Sequence, residues 1–125
     1  MASKVFAAID VGSNELSMKV YEITPKKGAR EIDYVNSTVE LGSDTSGRIT
    51  EDSIMKVCEI LNKFRRKMRE YDVREYKAYA SSAVREAENS VMVLERIKQH
   101  TGIDVSVLSN SEQRFMNYKA YAAKS

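Results

Sequence analysis

The stretch Phe6-Ala7-Ala8-Ile9-Asp10-Val11-Gly12-Ser13-Asn14 decides how the rest of this chain is read. It begins as a strand-length apolar run and closes on an acid, a glycine, a hydroxyl and an amide. The apolar part predicts a buried strand. The polar tip predicts a tight turn into a second strand, Leu16 to Ile23, where Leu16, Met18 and Val20 alternate with Ser17 and Lys19. Gly12 carries no Cβ and so lets the backbone approach a ligand closely. Backbone N–H groups and the side chains of Ser13 and Asn14 are suitable donors to phosphate oxygens. Asp10, just ahead of the turn, suits a divalent cation, held directly or through water. From these residues alone, a plain hairpin turn that favours Gly, Ser and Asn reads equally well.

Working outward, the chain of 125 residues is one domain's worth, long enough for a core of its own. With 42% apolar and 30% charged residues it has the balance of a globular domain and not of a disordered one. A net charge of +2 is too small to argue for nucleic acid. The single Cys58 excludes an internal disulfide, and with one His100 no Cys/His metal cluster can form. No apolar run has the length of a membrane span, and the start, Met1-Ala2-Ser3-Lys4, leads into a strand and not a secretory signal. The expected location is the cytoplasm, with no membrane partner and no specific nucleic acid.

After the second strand, Thr24-Pro25-Lys26-Lys27-Gly28 predicts a turn and Arg30 to Val39 a third strand with Ile32 and Tyr34 on one face, completing an antiparallel meander. A polar loop from Glu40 to Arg48 follows. Thr50 predicts an N-cap, with Glu51 and Asp52 at the positive end of the helix dipole. The helix to about Tyr71 shows one apolar face through Ile54, Cys58, Leu61, Phe64 or Arg65, and Met68, so Cys58 reads as core and not as a nucleophile. Lys63, Arg65, Arg66, Lys67 and Arg69 read as a solvated face suited to the helix C-terminus. Val73 to Ala80 predicts a fourth strand, Ser81 to Arg85 a hydroxyl-rich turn, and Asn89 or Ser90 the cap of a helix from Val91 to Thr101, ended by Gly102. Ile103 to Leu108 predicts a fifth strand, and Ser109 and Asn110 open a last helix whose Phe115, Met116, Tyr118 and Ala122 are partly buried. The order βββ-α-β-α-β-α requires an α/β fold with a mixed five-stranded sheet and right-handed crossovers at its parallel strands.

Ligands of open α/β sheets sit beyond the carboxyl ends of the parallel strands. The turns after strands one, four and five are therefore expected to share a rim. It would combine the Gly12-Ser13-Asn14 donors, an arginine (Arg85) suited to bidentate phosphate contact, and a carboxylate at a helix start.

Asp10-Val11-Gly12-Ser13-Asn14, Leu41-Gly42, Gly47-Arg48-Ile49, Ala80-Ser81-Ser82-Ala83-Val84-Arg85-Glu86-Ala87 with Asn89, and Ser109-Asn110-Ser111-Glu112-Gln113 follow one another in an order and spacing that resembles the exopolyphosphatase/guanosine pentaphosphate phosphohydrolase family. The resemblance implies a ribonuclease H-like, actin-type fold built from two similar domains around a cleft. It also implies removal of terminal phosphate from polyphosphate or guanosine pentaphosphate with Mg²⁺. Residues 1–125 match the first domain only, so the chain is expected to be the N-terminal half of a two-domain phosphohydrolase. The fragment is expected to be inactive without its C-terminal domain, and the parent to be a cytoplasmic homodimer. Carried over, Asp10 resembles the residue near the metal; Gly12, Ser13 and Asn14 look like the first phosphate loop; and Arg85 looks like the phosphate-contacting arginine.

Two positions depart from the family pattern. Gln113 stands where the family has the glutamate that takes a proton from the attacking water, and an amide cannot accept that proton. Glu112 matches the preceding glutamate, although adjacent helical side chains point well apart and Ser109-x-x-Glu112 also reads as a capping box. Glu112 and Gln113 are thus the catalytic candidates, and the alternative is a non-catalytic polyphosphate- or alarmone-binding relative. Glu15 replaces a small hydroxyl after Asn14 and should weaken anion binding unless it faces away or meets Mg²⁺. A sugar or acetate kinase half fits the Asp10 turn but not the later motifs. A two-metal nuclease lacks an acid after strand four.

Overall fold

β1 (Lys4–Val11) buries Ala7, Ile9 and Val11 while Asp10 stays on the outer face, the period-two consequence of the pleat. The computed structural model describes residues 3–41 and 47–107. β2 (Glu15–Thr24) buries Leu16, Met18 and Val20 on the same side, and β3 (Gly28–Thr38) completes the expected meander, antiparallel to β2. The register between β2 and β3 shifts at Val20/Tyr21, where Val20 pairs with Asp33 and Tyr21 with Glu31. That bulge corrects one expectation. An extra residue inverts the parity of the pleat, so Ile32 packs against the core whereas Tyr34 is 44% exposed, and the two do not share a face.

Thr50 caps α1 (Glu51–Glu70) as expected, its hydroxyl accepting from the Ser53 amide at 3.2 Å. Ile54, Val57, Cys58, Leu61, Phe64 and Met68 of this helix are buried in one cluster with the inner face of β1 and β2. β4 (Glu75–Ala80) then pairs parallel to β1, which forces α1 to cross over the sheet face between them. The turn expected at residues 81–85 is a helical one. Ser82–Arg85 is a single helical turn, α2, closed by Arg85 N–H to Ser81 C=O at 3.1 Å.

α3 (Ser90–Thr101) ends at Gly102 with φ 75°, the left-handed conformation predicted for it. The Arg65 guanidinium donates to the Thr101 carbonyl at 2.8 Å, and Arg96 grips Glu51 at 2.8 and 2.9 Å, so α3 lies against α1. Among the described residues β5 is Ser106–Val107, parallel to β4. The sheet order is β3-β2-β1-β4-β5. The expected last helix, from Ser109 onward, and the loop residues Gly42, Ser43, Asp44, Thr45 and Ser46 lie outside the described residues. No helix among the described residues is long and apolar enough to cross a membrane.

A polar bond ties the C-terminal end of α1 to β3: the Tyr71 hydroxyl donates to the Asp33 carboxylate at 2.6 Å, with Lys67 at 4.0 Å. The hydrogen bond from Tyr71 is the main reason the Asp33 pKa lies below its ordinary value. A carboxylate depressed in the folded state contributes stability above the ordinary carboxylate range, and that contribution disappears as pH falls through the folded value. Tyr71→Phe should therefore be less stable than the unsubstituted chain at neutral pH, and the gap should close toward acid. Urea unfolding at neutral and acidic pH checks this, and a gap independent of pH would contradict it.

Candidate functional site

The register of β1 and β4 fixes the geometry of the site. Asp10 lies opposite Tyr79 and Val11 opposite Ala80, so both strands end at one edge of the sheet. There the Ser81 amide donates to the Val11 carbonyl at 2.9 Å. The turn Gly12-Ser13-Asn14 and the turn of α2 bearing Arg85 therefore leave the sheet side by side. Val107 pairs with Ala80, so β5 reaches the same edge. Two of the three bends expected to share a rim do so. The third, carrying Glu112 and Gln113, lies outside the described residues.

The Gly12 turn closes on itself. Its amide donates to the Glu15 carbonyl at 3.0 Å, and a Cβ added at residue 12 would stand 2.7 Å from that same oxygen. Glycine is thus required here by the hairpin's own backbone before any ligand is considered. Beyond the turn, the Ser13 and Asn14 carbonyls accept from the amides of Leu41 at 3.1 Å and Val39 at 3.0 Å. The Ser53 hydroxyl donates to the Glu40 carbonyl at 3.4 Å. The first turn of α1 is in this way linked, through residues 39–41, to the Gly12 turn.

On the outer face, Asp10 pairs with Ser17 across the β1–β2 ladder, and Glu15 lies two residues further along the same face of β2. Partial burial, and then the neighbouring charge of Glu15, hold the Asp10 carboxyl above its ordinary pKa. Glu15 itself accepts from the Tyr34 hydroxyl at 3.0 Å. That bond draws the Glu15 carboxylate toward β3, on the side of β2 away from Asp10, while its charge is still near enough to raise the Asp10 pKa. Asp10, a partly desolvated carboxylate, is a hard oxygen donor of the kind that suits Mg²⁺. Among the described residues no group of three His, Cys, Asp or Glu side chains stands ready to hold a metal by itself.

The Arg85 side chain is 22% exposed, with the Glu86 carboxylate 3.6 Å from its guanidinium. The Ser81 hydroxyl, at the junction of β4 and α2, is buried with no hydrogen-bond partner. Sequence reading missed both Ser81 and the role of Asn89. Asn89 does not cap α3 with its side chain. Its Oδ1 accepts from the Ile49 amide at 2.9 Å and its Nδ2 donates to the Ile49 carbonyl at 3.1 Å. Cys58 is buried and its thiol is pushed up by that burial, as a core residue should be.

A sheet of this order, with an antiparallel meander leading into parallel strands and crossover helices, is the ribonuclease H-like fold of the actin-like ATPase superfamily. T. thermophilus RuvC shares it at a TM-score of 0.51 and 10% identity over 83% of this chain, a likeness of fold alone. The chain belongs to the Ppx/GppA phosphatase family, whose model matches residues 21–123. The Ppx/GppA family member of Aquifex aeolicus superposes at a TM-score of 0.82 with 29% identity, over 87% of this chain and 36% of that one. An exopolyphosphatase from Cytophaga hutchinsonii gives 0.80 with 30% identity, over 86% of this chain and 35% of that one. Exopolyphosphatase 1 of Mycobacterium tuberculosis is 29% identical over 114 residues, 90% of this chain. This chain spans 33% of that relative's length.

The closed turn makes a direct prediction. Gly12→Ala should destabilise the chain by about 1–3 kcal/mol, because the Glu15 carbonyl must move to admit the methyl group. Ser81→Ala removes no hydrogen bond and should cost no more than about 0.5 kcal/mol. Denaturant midpoints of the two variants check the contrast.

Proposed function

We propose that this chain is the first lobe of a phosphoanhydride hydrolase of the exopolyphosphatase type. The reaction is release of terminal phosphate from inorganic polyphosphate or guanosine pentaphosphate, across a cleft that a second lobe completes. One observation carries the reading: the hydrogen bond from Ser81 to Val11 holds the Gly12-Ser13-Asn14 turn and the Arg85 turn at a single sheet edge. In this proposal Gly12, Ser13 and Asn14 take one face of a phosphate chain and Arg85 takes another, as a planar fork suited to two oxygens. Asp10, with Glu15 beside it, holds Mg²⁺, which when bound neutralises charge on the phosphate oxygens. Glu112 positions or deprotonates the attacking water, with Gln113 able only to orient it.

Half a cleft lacks the opposing donors and the exclusion of water that phosphoryl transfer needs, so turnover requires the second lobe. Gln113 favours a second reading, in which the protein binds polyphosphate or an alarmone without hydrolysing it.

Orthophosphate release from polyphosphate and from guanosine pentaphosphate, measured on the longest natural form of the protein, separates the two. Under the first reading release is Mg²⁺-dependent and falls about 10²-fold or more in Arg85→Ala, the usual cost of losing one preorganised donor to developing charge. A silent protein that gains activity on Gln113→Glu supports the second reading. A protein silent in both forms that also fails to bind either compound would overturn both.

A further inference from the structure

We propose that Asn89 is a positioning residue for Arg85, acting by clamping the strand of chain that precedes α1. The inference rests on the phosphate-binding role proposed above for Arg85.

The four residues of α2 are too few to hold a helical turn without outside help. Help comes from both sides. Upstream, the Ser81 amide is bonded to the Val11 carbonyl at 2.9 Å, which fixes where the turn begins. Downstream, the Glu88 amide donates to the Gly47 carbonyl at 3.1 Å, and the Asn89 side chain takes both the N–H and the C=O of Ile49. Arg85 stands midway between these anchors.

Asparagine is the side chain this clamp demands. Its planar amide offers one acceptor and a donor group side by side, matching the amide and carbonyl of a single residue. Asn89 is 7% exposed and Ile49 5%, so neither backbone group has water to fall back on. An aspartate would keep the bond from the Ile49 amide but set its second oxygen against the Ile49 carbonyl. An alanine would leave both Ile49 groups buried and unmet. The backbone of Asn89 is separately used, its carbonyl accepting from the Val93 amide at 3.0 Å in the first turn of α3. The side chain is therefore committed to the loop before α1, and the element it steadies is the turn bearing Arg85.

A merely structural clamp would lower stability and leave anion binding alone, which is what the test distinguishes. Inorganic tripolyphosphate with Mg²⁺ is titrated into this chain and followed by amide NMR shifts. The titration is repeated for Arg85→Ala, Asn89→Ala, Asn89→Asp, the Arg85→Ala/Asn89→Ala double variant and Arg96→Ala. Arg96→Ala cuts a different tether, that between α3 and Glu51, and serves as the destabilised control. The expected result is a loss of affinity of about 5- to 10-fold for Asn89→Ala and a smaller one for Asn89→Asp. The double variant should bind no worse than Arg85→Ala, the non-additivity that marks action through one group. Arg96→Ala should keep its affinity. Hydrogen exchange at the Arg85 and Glu86 amides should quicken in the Asn89 variants while that of β1 and β2 is unchanged. Full affinity in folded Asn89→Ala or Asn89→Asp, or losses that add in the double variant, would overturn the inference while leaving the proposed function intact. Full affinity in Arg85→Ala, or no binding by the unsubstituted chain, would instead remove the Arg85 role on which the inference rests.

Discussion

The parallel pairing of β1 with β4 is the constraint on which the rest of the structure depends. An antiparallel partner could have been reached by a short hairpin, but a parallel one obliges the chain to travel the length of the sheet and return. β3, the loop after it and α1 make that journey, and the apolar face of α1 covers the inner side of β1 and β2 on the way. The reward of the pairing appears at its end. Because the strands run the same way, their carboxyl ends coincide, and the Ser81 amide continues the ladder one step past Ala80 by bonding Val11. Everything at the candidate site follows from where that last bond stops.

Charge at this edge is arranged in opposition. In the proposed function the Gly12 turn and Arg85 take the anion, while Asp10 and Glu15 on the adjoining outer face oppose it. Asp10 is less acidic than usual because it is partly desolvated and has Glu15 for a neighbour. Glu15 accepts from Tyr34 of a third strand. In the proposed function cation and phosphate arrive together, and each then cancels the field that opposes the other. A lone hydroxyl at residue 15 would have left the anion side unopposed and the cation side weaker.

Much of this was legible in the sequence because it is local. The alternation through Leu16, Met18 and Val20, the Thr50 cap, the apolar face of α1 and the Gly102 stop all appear in the structure where spacing and side-chain chemistry put them. Two differences, at Tyr34 and at Asn89, come from long-range contact. Nothing near Ile32 announces the bulge, which arises from how β3 must twist against β2, and it moved Tyr34 to the face where it meets Glu15. Asn89 stands where a cap is expected and has a capping side chain, yet a partner 40 residues away in sequence claims that side chain instead. Ser81 to Arg85 reads as a turn, and the structure makes it a helical one, too short for its periodicity to show in the sequence. At Gly12 the Glu15 carbonyl, three residues on, makes a local claim on the space beside the Cα.

The same distinction separates the stability of the fold from the order of its site. The core is continuous and rests on α1, α3 and the inner face of the sheet, with Leu16, Ile54, Leu61 and Ile97 almost wholly buried. α2 contributes little to that core beyond Val84. Its single turn is held by the packing of Val84, by backbone bonds at Ser81 and Glu88 and by one side-chain amide at Asn89. Local openings of such a turn have their own free energy, below that of global unfolding. An arginine placed on such an element is positioned by polar contacts as well as by the packing of its neighbour Val84. Its precision is therefore set by whichever of those contacts opens first, and hydrophobic stability elsewhere cannot make up for the loss.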